Sequence, residues 1–216
     1  MEKIIINIGR QIGSGGRIVA ARLAEEFGCK LYDKEILDLA AHESGFSPKF
    51  FEQSDEHRGF LRHIVHQSGR ALAMGSFYNN NQFSEESLFQ FQSEAIQKAA
   101  QEGSCVFVGR CADYILRDMP QAMSFFITAD LNDRIARVQE RHGCDAATAQ
   151  KLIHHEENAR ASYYNYYTGK KWGHAESYDL CINSSRWGIE GTVELICAAL
   201  RKAALVTTLN DKTIKR

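Results

Sequence analysis

Short apolar runs rich in β-branched residues alternate along the chain with stretches whose apolar positions recur at helical spacing. Extended segments are expected at residues 3–8, 30–32, 104–108, 123–128 and 178–183. Helices are expected at 17–27, 34–43, 132–142, 146–163 and 189–204, the last with Ile189, Val193, Ile196, Cys197 and Leu200 on one face. Strands separated by helices predict an α/β domain, a mainly parallel sheet flanked by helices. The rhythm stops between residues 43 and 101, where helix formers, Gln, Ser and Asn dominate and Asn79-Asn80-Asn81-Gln82 forms a polar stretch. An excursion between two core strands reads as a helical insertion, about 44–102, over the sheet edge. It covers a second substrate, adds packing area or joins two copies in a homodimer. One domain spans 1–205, and 206–216 are expected as a frayed polar tail.

Between the first strand and the first helix lies Gly9-Arg10-Gln11-Ile12-Gly13-Ser14-Gly15-Gly16-Arg17. Glycines let backbone N–H groups turn inward around an anion, and the free N–H groups and dipole of a helix start favour negative charge there. Arg10, Gln11, Ile12, Gly13, Ser14, Gly15, Gly16 and Arg17 are therefore expected to bind the phosphates of a nucleotide. The alternative is a tight strand-to-helix turn that holds no ligand. The pattern G-x-x-x-x-G-K-[ST] supplies a lysine to the β/γ-phosphates and a hydroxyl to Mg²⁺, and neither frame of this loop fits it. With Gly16 as the last glycine, Arg17 takes the lysine position, Ile18 the hydroxyl position and Gln11 that of the first glycine. With Gly15 as the last, Gly16 takes the lysine position and Arg17 the hydroxyl position.

Charge narrows the partners. Over 216 residues, 26 Lys and Arg face 27 Asp and Glu, a net charge of −1, so no global field recruits nucleic acid or an anionic membrane and any phosphate binding is local. Six cysteines lack C-x-x-C or Cys/His ligand spacing; Cys105, Cys181 and Cys197 sit in apolar runs where a small hydrophobe would serve. Reduced thiols, no secretory signal and no bilayer-length apolar run lead to the expectation of a soluble cytoplasmic protein. His154 and His155 are adjacent and point to different helix faces, so they are not expected to pair on a metal.

Three segments together resemble the cytidylate kinase-like branch of the P-loop nucleoside monophosphate kinases. They are Ile12-Gly13-Ser14-Gly15-Gly16-Arg17 with Leu23-Ala24-Glu25-Glu26 and Leu31-Tyr32-Asp33-Lys34-Glu35; Val106-Phe107-Val108-Gly109-Arg110-Cys111-Ala112-Asp113; and Tyr178-Asp179-Leu180-Cys181-Ile182-Asn183-Ser184. The resemblance implies a P-loop NTPase-type fold with a nucleoside-monophosphate-binding insertion and a helical lid at about 132–172. It selects the second frame, with Gly16 at the lysine and Ile18 at the threonine of those kinases. Gly109 and Arg110 match their Gly-Arg-Asp motif; Cys111 replaces the aspartate, with Asp113 two residues on, and Lys34 stands at a serine. Asp33, Lys34, Arg110 and Asp113 are thus the expected acceptor-binding residues. Arg134, Arg137, Arg141 and Arg160 lie where the arginine-bearing lid would sit, and Glu157-x-x-Arg160 is similar to the end of its motif. A solvated face formed with Asp130, Asp133, Glu140 and Glu156 is the alternative.

The implied activity is ATP- and Mg²⁺-dependent phosphoryl transfer to a nucleoside monophosphate, CMP or dCMP. Arg17 or Arg10 stands in for the lysine, and Arg137, Arg141 and Arg160 close over the transferred group. A nucleotide-binding protein without transfer activity, acting as a sensor or partner subunit, and a kinase for another small acceptor remain open. The run Ser162-Tyr163-Tyr164-Asn165-Tyr166-Tyr167-Thr168-Gly169-Lys170-Lys171-Trp172 either stacks a nucleobase and neutralises its phosphates, packs a helix end against the body of the protein, or forms a subunit contact.

Overall fold

The computed structural model describes residues 3–33 and 85–214. β1 (Ile5–Arg10) is the middle strand of a five-stranded sheet; with β2 (Lys30–Tyr32), β3 (Cys105–Val108), β4 (Ala122–Thr128) and β5 (Leu180–Asn183) it forms the order β2-β3-β1-β4-β5. Every pairing is parallel. Parallel strands with both faces covered need apolar side chains on both, which is why β3 reads as a continuous apolar run and β1 as one interrupted by the buried Asn7 before its Gly9-Arg10 end. Ile5 points with Phe107 and Tyr32 toward α2 (Glu85–Glu102) and the short α3 (Ala112–Ile115). Ile6 and Ile8 point the other way, onto Val19, Ala20 and Leu23 of α1 (Gly16–Glu26) and Ile196, Cys197 and Leu200 of the last helix.

After β4 the chain forms α4 (Leu131–His142), reverses at Gly143 and continues as α5 (Ala146–Thr168). Asp145 caps α5 by accepting a hydrogen bond from the Thr148 amide at 2.7 Å. Val138, Ala149 and Ile153 close a small core between the two helices, with Ile12 of the glycine loop packed against it. The pair is thereby joined to the loop.

The expected elements recur with shifted ends. β1 runs on through Gly9 and Arg10, which pair with Phe126 and Ile127, because Gly9 leaves room for the Phe126 and Tyr178 rings. α5 absorbs part of the aromatic run, and β5 starts at Leu180. The last helix, α6 (Ser184–Ile214), breaks at Gly188 (φ 69°, ψ 177°) and then stays helical through 206–214, where a frayed tail was expected. Cys181 is exposed rather than buried, since β5 is the edge strand. The expected helix at 34–43 and the insertion up to residue 84 lie outside the described residues; α2 is the last part of that insertion.

Candidate active site

The loop between β1 and α1 sits at the carboxyl end of the central strand, where open parallel sheets bind ligands. Gly13 (φ 76°) and Gly15 (φ 78°) are left-handed, a backbone that side chains adopt at a cost. A Cβ on Gly13 would also stand 2.7 Å from the Arg134 carbonyl oxygen. Gly15 caps α1, and no acidic residue lies in that helix's first turn to compensate its dipole. Gln11 anchors the bend: its amide donates to the Ile127 carbonyl at 3.0 Å, and its side-chain oxygen accepts from the Ala129 amide at 3.3 Å. The buried Ser14 hydroxyl donates to the Gln11 carbonyl at 2.9 Å, and Ser184 donates to the Ser14 carbonyl at 2.6 Å.

Guanidinium groups surround this bend. From α4, Arg137 donates to the Gly13 carbonyl at 2.9 Å; from α5, Arg160 donates to the Arg10 carbonyl at 3.3 Å. Arg134 is buried against Glu157, whose carboxylate also accepts from the Ile12 amide at 3.3 Å. Arg17 Nε lies 2.9 Å from Asp33, at the end of β2, and Arg10 approaches the same carboxylate at 4.0 Å. Arg141 occupies the exposed last turn of α4 and, unlike Arg137, makes no described contact with the loop. Of the expected lid arginines, Arg137 and Arg160 meet the glycine loop and Arg141 makes no described contact with it.

Beside the loop, β3 is followed by Gly109, Arg110 and Cys111, all with positive φ, two of them not glycine. Left-handed non-glycine residues cost of order 1–3 kcal/mol each and concentrate at functional sites. The turn buries Arg110 and is held by Gln92, whose side-chain amide donates to the Arg110 carbonyl and to the Tyr163 hydroxyl, each at 3.3 Å. Asp113 accepts from the Tyr164 hydroxyl at 2.6 Å, so its carboxylate is engaged in holding α5. Burial raises the Asp113 carboxyl above the usual carboxylate range, and the Tyr164 hydrogen bond offsets part of that rise. Burial and the Asp113 charge also push the Tyr164 and Tyr178 hydroxyls up. Lys34 lies outside the described residues.

Much of the aromatic run packs against the body of the protein, while Tyr166 stays exposed. Tyr167 stacks on Phe89 at 4.0 Å between ring centroids, and Trp172 meets Phe126 edge-on at 5.2 Å. A protein-held Mg²⁺ is not matched by these donors. The hydroxyl position is Arg17 or Ile18, the Ser14 hydroxyl is spent on Gln11, and Asp33 already faces two guanidinium groups. Among the described residues no cluster of three His, Cys, Asp or Glu forms a metal site.

Sequence reasoning missed the contact of Glu157 with the loop amide and the support from Ser184, Gln92 and Gly9. Glu157 gave one signal, its spacing to Arg160. The others are contacts between segments far apart in the chain, which no local pattern reveals.

Comparison with known proteins gives the family and the fold. A cytidylate kinase from Pyrococcus horikoshii is 26% identical over 202 residues, covering 92% of this chain and 89% of the relative. The crystal structure of an uncharacterized protein from Eubacterium ventriosum superposes with a TM-score of 0.69 at 30% identity, covering 92% of this chain and 99% of that one. A gluconokinase from Sinorhizobium meliloti shares the fold at TM-score 0.56 and 11% identity, covering 96% and 97%. Among the described residues no helix is long and apolar enough to cross a membrane. The cytidylate kinase-like family model matches residues 5–186, from the first strand into the start of α6, and the chain, with the fold of a P-loop kinase, belongs to that family.

Proposed function

We propose that this protein transfers the γ-phosphoryl group of ATP to a nucleoside monophosphate, with CMP or dCMP as acceptor. The observation that carries the proposal is charge. Arg10, Arg17, Arg134, Arg137 and Arg160 gather at the glycine loop, against the carboxylates of Asp33 and Glu157 in the described contacts. Guanidinium groups fixed around one bend are donors suited to a polyphosphate. Phosphoryl transfer asks for alignment and charge neutralisation rather than a covalent nucleophile. An oxygen of the acceptor phosphate bonds to the γ-phosphorus as the bond to the β,γ-bridging oxygen breaks; that oxygen leaves with the electron pair, giving ADP and a nucleoside diphosphate. Mg²⁺ enters with the donor as its magnesium complex.

In this scheme the amides of residues 13–17 hold the β-phosphate. Arg137 and Arg160, on the helical lid at 132–172, cover the transferring group. Asp33, Lys34 and Arg110 orient the acceptor, while Asp113 is a positioning residue acting through Tyr164. Steady-state assays with ATP, Mg²⁺ and a panel of nucleoside monophosphates test the proposal: ADP should form in a CMP- or dCMP-dependent manner, and no turnover with any of them refutes it. Gly16 at the lysine position and the Glu157 carboxylate on a loop amide favour a second reading, nucleotide binding without transfer. Calorimetry separates the two, since the second predicts affinity for ATP without product.

A further inference from the structure

The loop departs from G-x-x-x-x-G-K at both ends at once. In the frame set by Gly15 as the cap of α1, the first glycine position is Arg10 and the lysine position is Gly16. A Cβ on Gly16 would stand 2.5 Å from Arg10 Cβ, 3.1 Å from Arg10 Cγ and 3.4 Å from Ile127 Cβ. The obstacle is the root of the Arg10 side chain, fixed by strand pairing to Ile127, so no change of rotamer relieves it. Side chains at positions 10 and 16 therefore exclude each other. A lysine at the second position requires a glycine at the first, and an arginine at the first requires a glycine at the second.

We infer that this loop has exchanged its cation across the bend, and that Arg10, rising from the end of β1 over Gly16, is the residue that bears the terminal phosphates of a bound nucleoside triphosphate. Its side chain is 15% exposed and runs between the loop and Asp33, whereas Arg17 is 56% exposed and its Nε is bound to Asp33. Arg17 thus positions the carboxylate, and Arg10 fills the space a loop lysine would cross. Guanidinium replaces a point charge by a planar fork, which suits two phosphate oxygens at once. This inference rests on the proposal that the loop binds a nucleoside triphosphate.

The test is a substitution cycle on the full chain, read by calorimetric titration with a non-hydrolysable ATP analogue plus Mg²⁺ and by thermal unfolding. Arg10→Gly should weaken analogue binding at least tenfold. Gly16→Lys alone should lower Tm through the clash, with Gly16→Ala as the milder probe should that variant not fold. Arg10→Gly combined with Gly16→Lys rebuilds G-x-x-x-x-G-K; it should recover Tm relative to Gly16→Lys and bring affinity back to within about threefold of the parent. Arg17→Ala should cost less affinity than Arg10→Gly, and Gly16→Lys should not rescue it. A double variant no better than its parents in both readouts, or Arg10→Gly binding like the unmodified chain, overturns the exchange while leaving nucleotide binding standing. Failure of the unmodified chain to bind any nucleotide overturns both.

Discussion

Glu157 joins the two helices after β4 to the glycine loop, and its removal makes a quantitative test of that join. Its carboxylate is paired with Arg134, whose side chain is 6% exposed against 18% for Glu157, and it also accepts from the Ile12 amide. Among the described contacts Arg134 Nε has no hydrogen-bond partner of its own, so this guanidinium depends heavily on Glu157. Glu157→Leu would leave a buried cation uncompensated and a loop amide without its acceptor. Breaking a buried ion pair from one side costs about 3–5 kcal/mol, and the partial exposure of Glu157 puts this site near about 3 kcal/mol. For a chain of this size about 1 kcal/mol moves Tm by roughly 2–4 °C, so a fall of roughly 6–12 °C is expected. Combining Arg134→Met with Glu157→Leu removes both charges and should restore most of the loss, because an apolar pair of similar volume is often neutral or better. Thermal unfolding followed by circular dichroism at fixed protein concentration reads both effects. A shift below about 2 °C for Glu157→Leu, or a double variant less stable than the single, would refute the reasoning, since each lies outside what a desolvated pair allows.

Gly13→Ala places a methyl group 2.7 Å from the Arg134 carbonyl at a positive φ; it should destabilise the fold by about 1–3 kcal/mol in urea unfolding and abolish ATP-analogue binding, and unchanged affinity would show that the bend does not carry the phosphate. Asp113 makes a pH prediction. With its carboxyl raised by burial, the folded protein holds this proton more tightly than the unfolded chain. Its contribution to stability is therefore largest in acid, declines as pH rises from about 4, the unfolded value, through the raised folded value, and is constant above it. Urea titrations at several pH values should show this decline in the unmodified chain relative to Asp113→Asn; parallel profiles would exclude it. Brief alkylation under native conditions followed by mass spectrometry should label Cys181, exposed on the edge strand, ahead of Cys105, which is buried and whose thiol burial pushes up to about 12. Equal labelling of the two would contradict the sheet order.

The alternation of apolar runs and amphipathic helices was enough to determine the α/β class, the five strands to within a few residues, and the place of the glycine loop. These depend on local periodicity, and each element carries its own period in its residues. Arg137 and Arg160 were legible only as arginines on helices that periodicity predicts; their contacts with the Gly13 and Arg10 carbonyls were not. Tertiary structure decided the rest. Arg141, on the same helix as Arg137, ends in solvent, and Asp113 turns to Tyr164. That Arg10 and not Arg17 lies against Gly16 depends on how closely β1 approaches the first turn of α1, a distance set by sheet pairing and core packing between segments remote in the chain. Residue types at a spacing state what chemistry is available; the packing of the strands fixes which of those residues share one space.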